Sequence, residues 1–169
     1  MSLSRRQALA LLAAGPALAA LGAGGVLATV WDQAPGPGYR HLSPSEASFV
    51  RALGGAAWPA TEACPLDGAL AELDLFLDAS LDSLPELPRK AARAGLHALD
   101  ALTLPAAGAR FRTLDLAQRS TWLTAWLNSD TMALRSAVTS IVLVLGMGYT
   151  THPAAAPAFS RLYRCGYGR

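Results

Sequence analysis

The stretch that decides the fold runs from Asp67 to Ser83: Asp-Gly-Ala-Leu-Ala-Glu-Leu-Asp-Leu-Phe-Leu-Asp-Ala-Ser-Leu-Asp-Ser. Leu70, Leu73, Phe76, Leu77 and Leu81 recur at the three- and four-residue intervals that stack side chains on one face of a helix. Glu72, Asp74, Asp78 and Asp82 fall between them. The segment therefore reads as an amphipathic helix with an apolar stripe and an acidic outer face. Pro85 and Pro88 punctuate its end.

Helical signals continue in both directions. Upstream, Ser43-Pro44-Ser45-Glu46 predicts a capping box: a serine N-cap, proline at the first helical position and glutamate at the third. The helix it opens carries Phe49, Val50, Leu53 and Ala57 and stops at Trp58-Pro59. Downstream, a third helix is expected over about residues 87–103, with Ala91, Ala98, Leu99 and Leu102 on one side, and then a loop over 104–114. Asp115 with Gln118 marks another start, and Trp122, Leu123, Trp126 and Leu127 form the apolar face of that helix. A last long helix, with Asp130 as candidate cap, runs through Leu134, Val138, Ile141, Val142 and Leu145 and ends at Gly146-Met147-Gly148. The β-branched run from Ser140 also suits a buried strand, but the helical spacing extends upstream to Leu134 and favours helix. By itself the run is too short to cross a bilayer. The fold class expected is all-α: a small irregular bundle of four to five helices after an N-terminal signal or anchor helix. The organisation expected is a signal or anchor over 1–31, a Pro/Gly linker over 32–42, a helical domain over 43–148 and an irregular aromatic tail over 149–169.

The chain of 169 residues has room for one domain and one modest core. It is 52% hydrophobic and only 15% charged, and much of the apolar excess lies at the N-terminus. The net charge of +2 is supplied by Arg5 and Arg6, and the remaining charges balance. A basic patch interleaved with aromatics is missing, so nucleic-acid binding has no support. The two cysteines, Cys64 and Cys165, are too far apart for a CxxC pair, a c-type haem site or a zinc knuckle. They are either one disulfide tying the tail to the body in an oxidising compartment, or two unrelated thiols.

Ser4-Arg5-Arg6-Gln7-Ala8-Leu9 reads as an address label. An arginine pair precedes a long uncharged Ala/Leu/Gly stretch, the order of a positive n-region and an apolar h-region. The adjacent arginines, followed by Leu9 where an apolar residue belongs, match the twin-arginine pattern. Ala17-Leu18-Ala19 after Pro16 offers a small-x-small processing site. The 24 uncharged residues from Ala8 to Trp31 are alternatively long enough to remain as an anchor spanning ~30 Å of hydrocarbon. Twin-arginine export carries folded proteins, so a chain without a nucleotide fingerprint or haem motif of its own is a candidate escort for a cofactor-loaded partner.

These landmarks stand in a particular order: the twin-arginine start, LSPSEASFVRALGGAAWP, LDLFLDASLDSLPELPRKAARAGLHALD, FRTLDLAQRSTWLTAW, and a long helix ending LGMGYTTHP. Together they resemble the small subunits of membrane-associated FAD-dependent dehydrogenases, the gluconate 2-dehydrogenase subunit 3 family. Order and spacing carry the likeness from Ser4 to about Tyr167, while the ending Cys165-Gly-Tyr-Gly-Arg169 departs from the longer family tail. The resemblance implies a non-catalytic subunit with no cofactor of its own. It would export and help mature a large FAD-dependent partner of the glucose-methanol-choline (GMC) type, with a multihaem cytochrome c as a possible third subunit. It would meet the twin-arginine translocase during export and work, membrane-associated, on the periplasmic side of the inner membrane. The alternative is a free-standing membrane-anchored envelope binding protein with no flavoprotein partner.

His97 and Asp100, three apart on a predicted helix, have the spacing of a base and its orienting carboxylate, but a solvated helical face explains them better. His41 sits in the expected linker without a partner, and His152 stands beside Tyr149 and before Pro153, at an interface or a helix end. Nucleophile elbow, P-loop and dinucleotide fingerprint are all missing, so neither catalytic nor metal-binding residues are assigned. Trp122 and Trp126 share one helix face; core packing is the bland reading, and an aromatic anchor for a partner is the sharp one. Tyr149, His152, Pro153, Phe159, Tyr163 and Tyr167 extend the candidate interface into the tail.

Overall fold

The structure, a computed structural model, describes residues 33–162. Over these residues the chain is helical, as the spacing predicts. The elements are α1 (Pro44–Ala57), α2 (Leu73–Asp82), α3 (Glu86–Ala101), the single turn α4 (Leu104–Ala107), a 3-10 turn (Phe111–Thr113), α5 (Leu116–Leu127), α6 (Met132–Thr151) and α7 (Ala156–Leu162). α1 lies at the centre and packs against α2, α3, α5 and the 3-10 turn, while α6 bridges α2 and α5.

The two capping boxes form as their spacing requires. Ser43 Oγ accepts the Glu46 N–H while Glu46 accepts the Ser43 N–H, and Asp115 and Gln118 reciprocate in the same way at α5. α1 stops at Trp58, before Pro59. Leu42, Phe49, Val50, Leu53, Leu73, Leu77, Leu81, Leu96, Leu123, Trp126, Val138, Leu145 and Tyr149 make one contiguous core. Phe111, from the segment expected to be a loop, is completely buried and links Phe49 to Trp126 through ring contacts at 5.6 and 5.0 Å.

Several boundaries move. α2 begins at Leu73, because residues 67–70 form a turn in which Asp67 accepts the Ala69 N–H and Leu70 donates to the Asp67 carbonyl. Glu72 then adopts a left-handed φ of 51°, and Leu70, expected in the apolar stripe, is exposed. This turn lies against α1, where a Cβ on Gly54 would meet the Gly68 carbonyl at 2.6 Å. At α6, Thr131 rather than Asp130 holds the N-cap position. The helix also runs past Gly146-Met147-Gly148 to Thr151, because those glycines admit neighbours instead of ending it. A Cβ on Gly148 would stand 2.6 Å from the Phe76 ring, and one on Gly146 3.3 Å from Trp58. The tail, expected to be irregular, contributes α7, whose Phe159 packs edge-on against Tyr149.

The Pro/Gly stretch expected as a linker over 32–42 is held against the body from residue 33 on. Residues 33–42 fold back as a strap: Gly36 donates to the Leu42 carbonyl, and Tyr39, Arg40, His41 and Leu42 are all held by α2. Two glycines on helices give predictions of opposite sign. Gly148→Ala should cost about 1–3 kcal/mol, because Phe76 must move. Gly95→Ala, in α3 with open space around its Cβ, should gain about 0.5–1 kcal/mol from helix propensity. Thermal unfolding followed by circular dichroism checks both, and a neutral Gly148→Ala would deny the close helix approach.

Candidate functional site

Among the described residues the buried carboxylates, Glu46, Asp74, Asp78 and Asp100, fall into three clusters. In the first, Glu46 belongs to a capping box and is yet fully buried. Its carboxylate takes Arg93 Nε at 2.9 and 3.2 Å and Arg93 Nη2 at 3.1 Å, and His97 Nε2 lies 3.1 Å from Oε1. Arg93 Nη2 also donates to the Gln33 carbonyl at 2.7 Å. Burial pushes the Glu46 carboxyl up, but the bonds from His97, Arg93 and Ser43 outweigh it and hold the group below its ordinary value.

The second cluster overturns the reading of Asp74 and Asp78 as a solvated outer face, since both are buried. Asp78 accepts the backbone N–H groups of Arg40, His41 and Leu42 at 2.8–2.9 Å. Asp74 accepts the Tyr39 hydroxyl at 2.6 Å and pairs with Arg51 at 3.1 Å. One turn further on, Asp82 takes Arg40 at 2.9 Å and His41 at 3.0 Å, so His41 does have a partner. Burial and the bond to Asp74 raise the Tyr39 phenol, and the His41 bond lowers the Asp82 carboxyl.

In the third cluster Asp100 is buried beneath Arg112, 2.6 Å away, and Arg110, 3.3 Å away, and it also accepts the Arg112 N–H at 3.1 Å. His97 and Asp100 are therefore both buried rather than solvated, and each faces different groups; they do not form a base–carboxylate pair. Among the described residues, no three His, Cys, Asp or Glu side chains are grouped to hold a metal ion. The chemistry these clusters perform is to hold segments: the strap to α2, α1 to α3, and α3 to the 3-10 turn.

Of the expected aromatic interface, Trp126 and Tyr149 are drawn into the core. Trp126 is buried and stacks on Phe111, and Trp122, half-buried, packs at 6.1 Å beside it. Tyr149 is buried, stacks on Trp58 at 5.2 Å and donates to the Leu66 carbonyl at 2.7 Å. Burial, then the adjacent Cys64 thiol at 3.2 Å, push its phenol up. His152 is the C-cap of α6, Pro153 is exposed and Phe159 is half-buried. Arg5, Arg6, Leu9, Tyr163, Tyr167 and Cys165 lie outside the described residues, so the Cys64–Cys165 pairing is not addressed by the geometry.

The surface signal lies on α6. This helix is 20 residues long, with mean hydropathy 1.5 over its most apolar window, and is long and apolar enough to cross a membrane by length and composition alone. Yet only 22% of that window is buried. The β-branched run from Ser140, too short by itself, is thus part of a longer apolar helix.

A helical body that spends its buried charges on fastening its own segments, and leaves its most apolar helix uncovered, has the character of an assembly subunit. Over residues 44–161 the chain matches the family described as gluconate 2-dehydrogenase subunit 3, and it belongs to that family. The searches of curated proteins and of solved structures give no match.

Two substitutions test these placements. Glu46→Gln should cost about 3 kcal/mol at neutral pH, because Arg93 and His97 lose a buried anion. The Glu46 carboxyl titrates below its ordinary 4.5 in the folded chain. Its contribution is therefore complete above that value and is lost as pH falls through the lower folded-state pKa. Denaturant unfolding from pH 7 to pH 3 should show the gap between wild type and variant narrowing below about pH 4.5; a pH-independent gap would mean an uncharged Glu46. Trp126→Ala should lower stability by about 3–5 kcal/mol in the isolated chain, the cost of emptying a core position. A melting temperature unchanged by that substitution would return Trp126 to the surface.

Proposed function

We propose that this chain is the exported, non-catalytic small subunit of an FAD-dependent dehydrogenase of the GMC type, which it stabilises and helps to mature. The observation that carries the reading is the family match over residues 44–161, since a subunit of a gluconate 2-dehydrogenase has a larger redox chain beside it. Dehydrogenation of an alcohol or hydroxy acid removes two electrons, and the acceptor in this reading is FAD in the partner chain. A multihaem cytochrome c is the candidate third subunit that passes those electrons on.

Two further observations support the division of labour. Among the described residues, the buried carboxylates each face the chain's own backbone or a counter-charge, the arrangement of a scaffold. Arg5, Arg6 and Leu9 supply a twin-arginine address. One signal then serves both chains, provided they associate before crossing, and the complex works on the periplasmic side of the inner membrane. Whether residues 1–31 are cleaved or retained, the body they deliver is the same.

Replacing Arg5 and Arg6 with lysines should leave this chain and its flavoprotein together in the cytoplasm, with a loss of periplasmic dehydrogenase activity of roughly ten-fold or more. Fractionation with immunoblotting and an electron-acceptor dye assay reads this. Normal periplasmic levels of both chains would defeat the escort role. Purification of the wild-type chain alone and colourless from its native membrane would instead support a free-standing, membrane-anchored envelope protein.

A further inference from the structure

The most apolar helix of the body is also poorly covered. α6 meets α2 and α5 along one edge, where Val138, Leu145, Gly148 and Tyr149 are buried. The opposite edge carries Met132, Ser136, Thr139, Leu143 and Met147, all exposed. These residues recur every three or four positions and form one continuous stripe. Met132 is 73% exposed, Leu143 53% and Met147 48%. Arg135 is the helix's single charged residue, and its guanidinium turns back to the Ser129 carbonyl at 2.7 Å. From Ser136 to Thr151 the helix is uncharged.

The texture of this stripe distinguishes a protein partner from a lipid surface. A helix lying on anionic headgroups carries cations along its polar flank, and α6 has none beyond Arg135. Small hydroxyl residues, Ser136 and Thr139, are instead set between Met132 and Leu143. That alternation gives shallow holes between apolar knobs, which is how one helix seats the ridges of another. Methionine at both ends adds unbranched side chains that adapt to an irregular partner surface.

We propose that the Met132–Met147 face of α6 is where the larger dehydrogenase chain docks, and that it receives an apolar, charge-poor helix or ridge of that chain. The inference rests on the subunit reading above, because membership of a subunit family requires a contact face. A strip ~23 Å long can form the dry centre of an interface, whose usual extent is about 800 Å² per partner. Trp126 is already buried against Phe111 and is not part of this face.

The test uses the full-length tagged chain, expressed in its native host and purified from the membrane fraction. Recovery of a larger chain is read by mass spectrometry and by the flavin absorbance spectrum. Leu143→Glu with Met147→Glu places two charges on the C-terminal half of the stripe. Leu87→Glu is the control, at a still more exposed leucine on α3, away from α6. The double variant should melt within about 2 °C of wild type, as exposed substitutions do. It should lose the flavin-containing chain by roughly ten-fold or more, while Leu87→Glu retains it. Equal recovery by the double variant and wild type would overturn the docking face and leave the subunit reading intact. A wild-type chain that brings down no larger protein would overturn both. Sedimentation with phosphatidylethanolamine–phosphatidylglycerol vesicles supplies the remaining arm. Vesicle binding lost in the double variant, with partner recovery unchanged, would assign the stripe to the membrane and refute the proposal.

Discussion

Folding removes the carboxylate of Glu46 from water, and the rest of the body is arranged around the consequence. Burying one such charge costs several kcal/mol unless each lone pair is answered. Here the answer comes from three directions: Arg93 through two nitrogens, His97 from the next turn of α3, and the Ser43 N–H at the start of α1. None of these partners can move without exposing the debt. The separation of α1 and α3 is therefore set by ion-pair geometry as much as by apolar contact. Because Arg93 also holds the Gln33 carbonyl, the same guanidinium fixes the first described residue of the strap.

The acidic column of α2 extends that logic. Asp74, Asp78 and Asp82 are four residues apart, so they rise along one side of the helix at one-turn intervals. Asp78 closes three consecutive backbone N–H groups of the strap, a bond pattern available only to a chain that turns tightly around one carboxylate. Asp74 and Asp82 then take the side chains on either side of that turn. The strap consequently is held by charged groups at both ends, Gln33 by Arg93 and Arg40 to Leu42 by Asp78.

The helices were legible in the sequence because their signals are local. Both capping boxes, the stop at Trp58-Pro59 and the leucine spacing of α2 are settled within a turn or two of chain. The roles of the charged residues were not legible, because they depend on what lies beyond the next turns of their own helix, mostly 35 to 51 positions away. Nothing near Asp78 announces the backbone of Arg40 to Leu42, and Glu46 reads as an ordinary cap until Arg93 is brought to it. Phe111 was missed for a related reason. It stands alone in a short 3-10 turn without periodic neighbours, and its burial is decided by Phe49 and Trp126 from other helices. The tryptophan pair left two readings open for the same reason: a shared helix face says that two side chains act together, but not whether that face looks inward.

The resulting body is inverted relative to a hydropathy reading. α3 turns Arg93, His97 and Asp100 inward, while α6 turns Met132, Leu143 and Met147 outward. Both halves of the inversion follow from one rule: a side chain is buried where its partners are, and transfer preference decides only when partners are lacking. The polar residues of α3 find counter-charges and N–H groups in the interior, which offset their desolvation. The apolar residues of α6 find no cover inside, because Val138, Leu145, Gly148 and Tyr149 already fill the contact with α2 and α5. An uncharged stripe of that kind on so small a body is a standing liability to association. A sequence under no other demand would relieve it with a lysine or glutamate at any of five positions. That it carries Met, Ser, Thr, Leu and Met there is the point at which folding physics alone stops explaining the chain and a partner becomes the simplest account.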